Sequence, residues 1–296
     1  MTITVPLDSR GRYERRMHGW SDSGTDDSFG HTVRLEDDAC AIELRAVCTL
    51  APSYEIRDAS LRVERGDVAA AVRDAVPRLA GVRMVGGFTR RAAELFGANS
   101  GAAFAVDAAI EVARLARQVT KLPAAVTAPI AADDAAACLR LDTTTWPDLT
   151  GSCFTYSAAA GSVLASRSVT PTLPPSFYSP APGAERVFVR RKLARLVRTG
   201  DRLHLFSSMH DDVHGFDVHY VVDLAGGTIV AADSVISRLP YRGLCDEPQA
   251  RVRGMVGESV DVLLRKRSQA LLGGEGGCAQ LYDLTGDALK LLEVTP

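Results

Sequence analysis

The sequence predicts an α+β fold, built as two degenerate copies of a unit in which antiparallel strands come first and helices second, packed pseudo-symmetrically. Three observations predict it: period-two alternation early in each half, helical spacing late in each half, and a gapless internal alignment between the halves. In chain order, Cys40, Ile42, Leu44, Ala46, Cys48 and Leu50 alternate with more polar neighbours, as a strand with one buried face does. A helix is expected over 67–76, ended by Pro77, and a longer one over 101–119. Eight of the 14 prolines then fall between Pro123 and Pro182, so that region is expected to be mostly extended and loop-like. Beyond it Val218, Tyr220 and Val222 alternate with His219 and Asp223, and an apolar run over 228–236 follows Gly226-Gly227, the pattern of an antiparallel hairpin. Helices are expected over 258–272 and 278–293. In the last, positions 278, 281, 282, 285, 289 and 292 form one mainly apolar stripe. The expected division is a first copy over 1–122, a connecting region over 123–183 and a second copy over 184–296.

The duplication rests on residues 79–109 aligning with 255–285, where Gly81, Arg91, Leu95, Gly97, Gly101, Ala103 and Asp107 meet identical residues. Richness in Gly and Ala makes such matches easier by chance. The copies differ where chemistry would sit, since Cys245 and Cys278 stand where the first half has Arg57 and Ala102. The second half is thus the better candidate for an active half, with a site expected between the copies.

Composition narrows the class of function. The 296 residues are 46% hydrophobic and 24% charged with a formal net charge of −2, an ordinary globular profile. The balance of 34 basic and 36 acidic residues offers no general attraction to phosphate backbones, so no nucleic-acid partner is expected. No apolar run is long enough for a membrane span and no signal-peptide core is seen, so the expectation is a cytoplasmic protein without a membrane partner. The six cysteines lack any C-x-x-C pair and are expected as free thiols. Only four of the 34 basic residues are lysine, a bias that reflects GC-rich coding.

The chemistry-bearing residues concentrate in the second half. His204, His210, His214 and His219 fall within 16 residues, together with Asp211, Asp212 and Asp217. Imidazole and carboxylate are ligands for zinc or iron, and imidazole moves protons near neutral pH. The same segment also reads as a polar turn with solvent-exposed histidines. Cys278 follows GGEGG and opens a helix, where amide dipoles favour a thiolate, which makes it a candidate nucleophile or ligand. It also lies on the apolar stripe, where small buried cysteines are common. Cys245 lies in a loop beside Asp246. Arg190 and Arg191, within the basic run 186–202, are candidates for holding an anionic small molecule, against the alternative of a solvated face. The glycines of GGEGG lack the Lys-Ser/Thr of a phosphate loop, and no G-x-S-x-G elbow occurs.

In order and spacing, VRRKLARLV, the Met-His at His210, VHY with His219, LPYRGLC with Cys245 and GCAQLYD with Cys278 and Asp283 resemble the actinobacterial branch of a bacterial family catalogued as domain of unknown function 2889. TGSCFTY around Cys153 resembles that family's mid-chain Cys-Ala-Gly-Trp segment. One departure is Gln280, where the family pattern has a histidine. The resemblance brings no assigned reaction. It implies that the second-half His and Cys residues belong together, with His210, His219, Cys245 and Cys278 as a four-ligand set if they converge. The functional expectation is a small-molecule enzyme of lyase, cyclase or hydrolase type in acyl or secondary metabolism. His219 and His210 would serve as acid/base or ligands and Cys278 as nucleophile or ligand. The alternative is a non-catalytic small-molecule-binding or scaffold protein.

Overall fold

The computed structural model describes residues 2–295. Helices and antiparallel strands share the chain, and the fold is α+β. Two compact units form. The amino-half unit takes Arg15–Ile130 and Pro175–Arg191, and the carboxy-half unit takes the chain up to Glu14, Ala131–Pro174, and everything from Lys192 onward.

In the amino-half unit, β1 (Arg12–Ser23, which enters the unit at Arg15), β2 (Ser28–Asp37), β3 (Ala41–Thr49) and β4 (Ile56–Arg65) form an antiparallel meander. Val33 pairs with both Gly19 and Leu44, and Ala46 with Ala59. In β3 the expected alternation holds, with Ile42, Leu44, Ala46 and Cys48 buried. The helix expected over 67–76 is shorter, Ala70–Ala75, and runs on into a 3-10 turn over Val76–Leu79. Pro77 sits at the start of that turn, where its missing N–H costs nothing, and so continues the coil instead of ending it. Helices α1 (Phe88–Phe96) and α2 (Ala102–Ala116) follow, α2 packing on β2 and β3 and α1 on α2. Gly19 permits a close approach: a Cβ there would lie 2.8 Å from a methyl of Leu115.

The region 123–183 is not a separate connector. Phe154 N–H donates to the Gly277 carbonyl and Thr172 N–H to that of Pro240, which ties residues 131–174 to the carboxy-half unit. Leu122 N–H donates to the Tyr178 carbonyl and Ser23 N–H to that of Ala184, which ties 175–191 to the other. Nor is the region mostly extended. It holds α3 (Ala135–Thr145), whose first turn is capped by the Asp134 carboxylate accepting from Ala137 N–H, and short helical turns at 147–149, 154–156 and 160–166. Its prolines stand at turn starts, Pro147 and Pro175 among them, a position they tolerate well.

In the carboxy-half unit, β5 (Phe188–Thr199, which enters at Lys192), β6 (Arg202–Asp211), β7 (Gly215–Asp223) and β8 (Thr228–Arg238) run antiparallel in that order. Tyr220 pairs with Leu205 on one side and Ala232 on the other, so the expected hairpin is β7–β8. The helix expected from 258 begins later, as α4 (Leu264–Leu272), because Gly257 and Glu258 bond to Ile229 of β8 instead. Helix α5 (Ala279–Leu289) packs on β6 and β7 and α4 packs on α5. Its buried residues Leu281, Leu284, Thr285, Ala288 and Leu289 include three of the six expected stripe positions, while Cys278 and Tyr282 are only partly buried. Among the described residues no helix is long and apolar enough to cross a membrane.

Candidate functional site

Strand parity decides where the histidines go. The Tyr220 hydroxyl is 2.7 Å from the Thr285 hydroxyl of α5, and the Ser207 hydroxyl donates to the Leu284 carbonyl at 3.5 Å. These residues of β6 and β7 therefore face α5, and their neighbours His204, His210, Asp217 and His219 project from the opposite face. There His204 and His219 stack nearly parallel, 5.4 Å between ring centroids, with Nδ1 of one 3.2 Å from Nε2 of the other. Burial, then the neighbouring His204, pushes His219 below its ordinary pKa against the pull of Asp233, so it is neutral near pH 7. His210 Nε2 lies 3.2 Å from the Asp217 carboxylate. The segment HDDVH is the β6–β7 turn: the Asp211 carboxylate accepts the N–H of Val213 at 2.7 Å and of His214 at 2.5 Å, and His214 Nδ1 lies 3.2 Å away.

The cysteines gather on the other side of the unit, before α5. Cys278 immediately precedes α5, Cys245 lies in the turn after Tyr241, and Cys153 precedes the helical turn 154–156. The Cys245 thiol is 2.9 Å from the Thr155 hydroxyl, and Gln249 Nε2 donates to the Cys245 carbonyl at 2.8 Å. The Gln249 side chain also acts on Cys278, opposing the upward shift of its pKa. Cys278 and Cys153 both lie near enough to disfavour ionisation of Cys245, and Cys153 does the same to Cys278. Burial dominates, pushing Cys245 up to about 12 and Cys278 up to about 11, and it raises Cys153 as well. All three are free thiols, and Cys278 stays partly accessible although its sulfur is enclosed by protein. Deeper in the same unit, Tyr156 and Tyr241 both donate to one carboxylate oxygen of buried Asp142, at 2.8 and 2.5 Å.

The expected constellation is thus divided. Cys245 and Cys278 converge, joined by Cys153, while His210 and His219 stand on the far face of the sheet, so the four-ligand set is not assembled and no His is placed to take a proton from Cys278. Among the described residues no group of three or more His, Cys, Asp or Glu side chains is arranged to hold a metal ion. Arg190 and Arg191 also part company, because successive strand residues face opposite ways. Arg190 is 1% exposed with its guanidinium over the Phe188 ring, whereas Arg191 is exposed. The cysteine cluster lies wholly within the carboxy-half unit, not between copies as expected. The sequence named His204 within the histidine run but not its pairing with His219, touched Thr155 only through the Cys153 motif, and gave no sign of Gln249 or Asp142 as partners.

Residues 199–291 match the model of a family described as Protein of unknown function (DUF2889), which supports the resemblance read from the motifs. The matched stretch includes His204, His219, Cys245, Gln249 and Cys278, and leaves out Cys153. No curated protein and no solved structure matches the chain.

Proposed function

We propose that the chain is a small-molecule-binding protein whose working site is the cluster of Cys278, Cys245, Cys153, Thr155 and Gln249. One observation carries this reading: Gln249 Oε1 is enclosed and has no hydrogen-bond partner among the described residues, near the neutral thiol of Cys278, a residue that is itself only partly buried. An enclosed acceptor without a donor is costly, and a ligand bearing an N–H or O–H removes that cost. The uncharged lining favours a neutral polar group over an ion.

The expected enzyme of acyl or secondary metabolism is the second reading, favoured by the position of Cys278 at the start of α5, where the backbone of Leu281 and Gln280 opposes the upward shift of its pKa. Native mass spectrometry of the purified chain, after incubation with a small-molecule cell extract and desalting, tests both. A non-covalent small-molecule adduct on the wild type that disappears in a folded Gln249→Leu variant supports the binding reading. An adduct covalently attached at Cys278 supports the catalytic one. No adduct, or one unaffected by Gln249→Leu, contradicts the first.

We further infer a cytoplasmic, actinobacterial setting, from the arginine-rich, lysine-poor composition and the order of motifs. An ancestral duplication is supported by α1 and α4 falling on aligned residues, 88–96 and 264–272, and by positive φ at both Gly81 and Gly257.

A further inference from the structure

The amino-half unit carries a second feature, independent of the cysteine cluster. Alternation along β1 turns Met17, Gly19 and Ser21 toward α2 and leaves His18, Trp20 and Asp22 on the other face. On that face the His18 and Trp20 rings are 5.2 Å apart, and His18 Nε2 is enclosed with no hydrogen-bond partner among the described residues. Three guanidinium groups surround the pair. Arg34 stands directly across from His18 on β2, the Arg186 guanidinium lies 4.9 Å from the Trp20 ring centroid, and Arg191 is close enough for its charge to act on His18.

Their commitments differ. Arg34 is bound by Glu64, at 2.7 and 2.8 Å from its two oxygens. Neither Arg186 nor Arg191 has a carboxylate partner for its guanidinium among the described residues. Arg186 is also held in a conformation that arginine rarely adopts, φ +49°, by its N–H donating to the Asp22 carboxylate at 2.7 Å and by the indole beneath it. Two uncommitted forks beside an orphaned imidazole nitrogen present donors on one side and aromatic surface on the other, which is a recognition pattern for an oxyanion on a small planar molecule. Burial first, then Arg191, Arg186 and Arg34, hold His18 below its ordinary pKa, so it meets the ligand uncharged and can donate from Nε2 in the Nε2–H tautomer.

We propose that His18, Trp20, Arg186 and Arg191 form a binding site for a small molecule bearing a carboxylate or phosphate group. The test is calorimetric titration of the full chain, in buffer free of both ions, with benzoate, phenyl phosphate and inorganic phosphate. Trp20 fluorescence in a Trp146→Phe background serves as the second readout, and calorimetry on the unaltered chain stands even if that background fails to fold. Saturable binding of at least one probe, weakened about tenfold or more in Arg186→Gln and in Arg191→Gln at unchanged melting temperature, is the expected result. Preference between benzoate and the two phosphates identifies the anion. The site is overturned if no probe saturates, if chloride at equal ionic strength produces the same signal, or if both arginine variants bind as the wild type does. Any of these leaves the cysteine-cluster reading standing.

Discussion

Burial keeps several titratable side chains of this protein uncharged, and each has a measurable consequence. His31 is fully enclosed on β2, its Nδ1 2.9 Å from the Ser21 hydroxyl, and burial pushes its pKa down to about 3. The unfolded chain takes up that proton near pH 6.5, so His31 costs nothing above that value, and stability is lost as pH falls from there toward about 3. At pH 5 the loss from this one residue is about 2 kcal/mol, since each pH unit below the unfolded pKa is worth about 1.4 kcal/mol. Urea midpoints at pH 7 and pH 5 check this: His31→Gln should flatten the acid loss by about that amount. An identical pH dependence in the variant would show that His31 titrates normally. The same physics governs Cys278, whose raised pKa makes it a hydrogen-bonding thiol before it is a nucleophile.

At the scale of elements, one buried contact fixes the parity that separates histidines from cysteines. The Tyr220 and Thr285 hydroxyls join β7 to α5 at full burial, and so set which strand residues face the helix. Tyr220→Phe and Thr285→Val should each destabilise by about 1–2 kcal/mol in urea unfolding, with a coupling near 1 kcal/mol when combined, because the double variant leaves no orphaned hydroxyl. Strict additivity would mean the hydroxyls do not hold the two elements together. Residue pattern made some elements legible and hid others. β3 and the β7–β8 hairpin show clean apolar alternation. In β1 and β2 the inward positions include Ser21 and His31, and Thr32 is buried on the opposite face, so the buried face does not read as apolar. The proline-rich stretch misled because a proline at a helical start reads like a proline in a loop, and only the cap at Asp134 marks the difference.

For the whole molecule, what the sequence conveyed best was order: strands then helices in each half, with chemistry-bearing residues late in the chain. What it could not convey was convergence over long separations. Thr155 and Cys245 meet across 90 residues, and Tyr241 and Asp142 across 99, and no local pattern encodes either contact. The proposed His/Cys constellation depended on the β6–β7 register, which puts His219 opposite Phe206 and away from α5. On the reading proposed above, Cys278 is a neutral thiol in a binding cluster and not an activated nucleophile. The most direct test of this is the rate of Cys278 alkylation by iodoacetamide between pH 6 and 10, followed by peptide mass spectrometry. Labelling is expected to be slow at pH 7, with a rate still rising about tenfold per pH unit at pH 10, since ionisation is pushed up to about 11. A rate that levels off below about pH 8.5, the ordinary thiol pKa, would contradict it and make Cys278 a reactive thiolate.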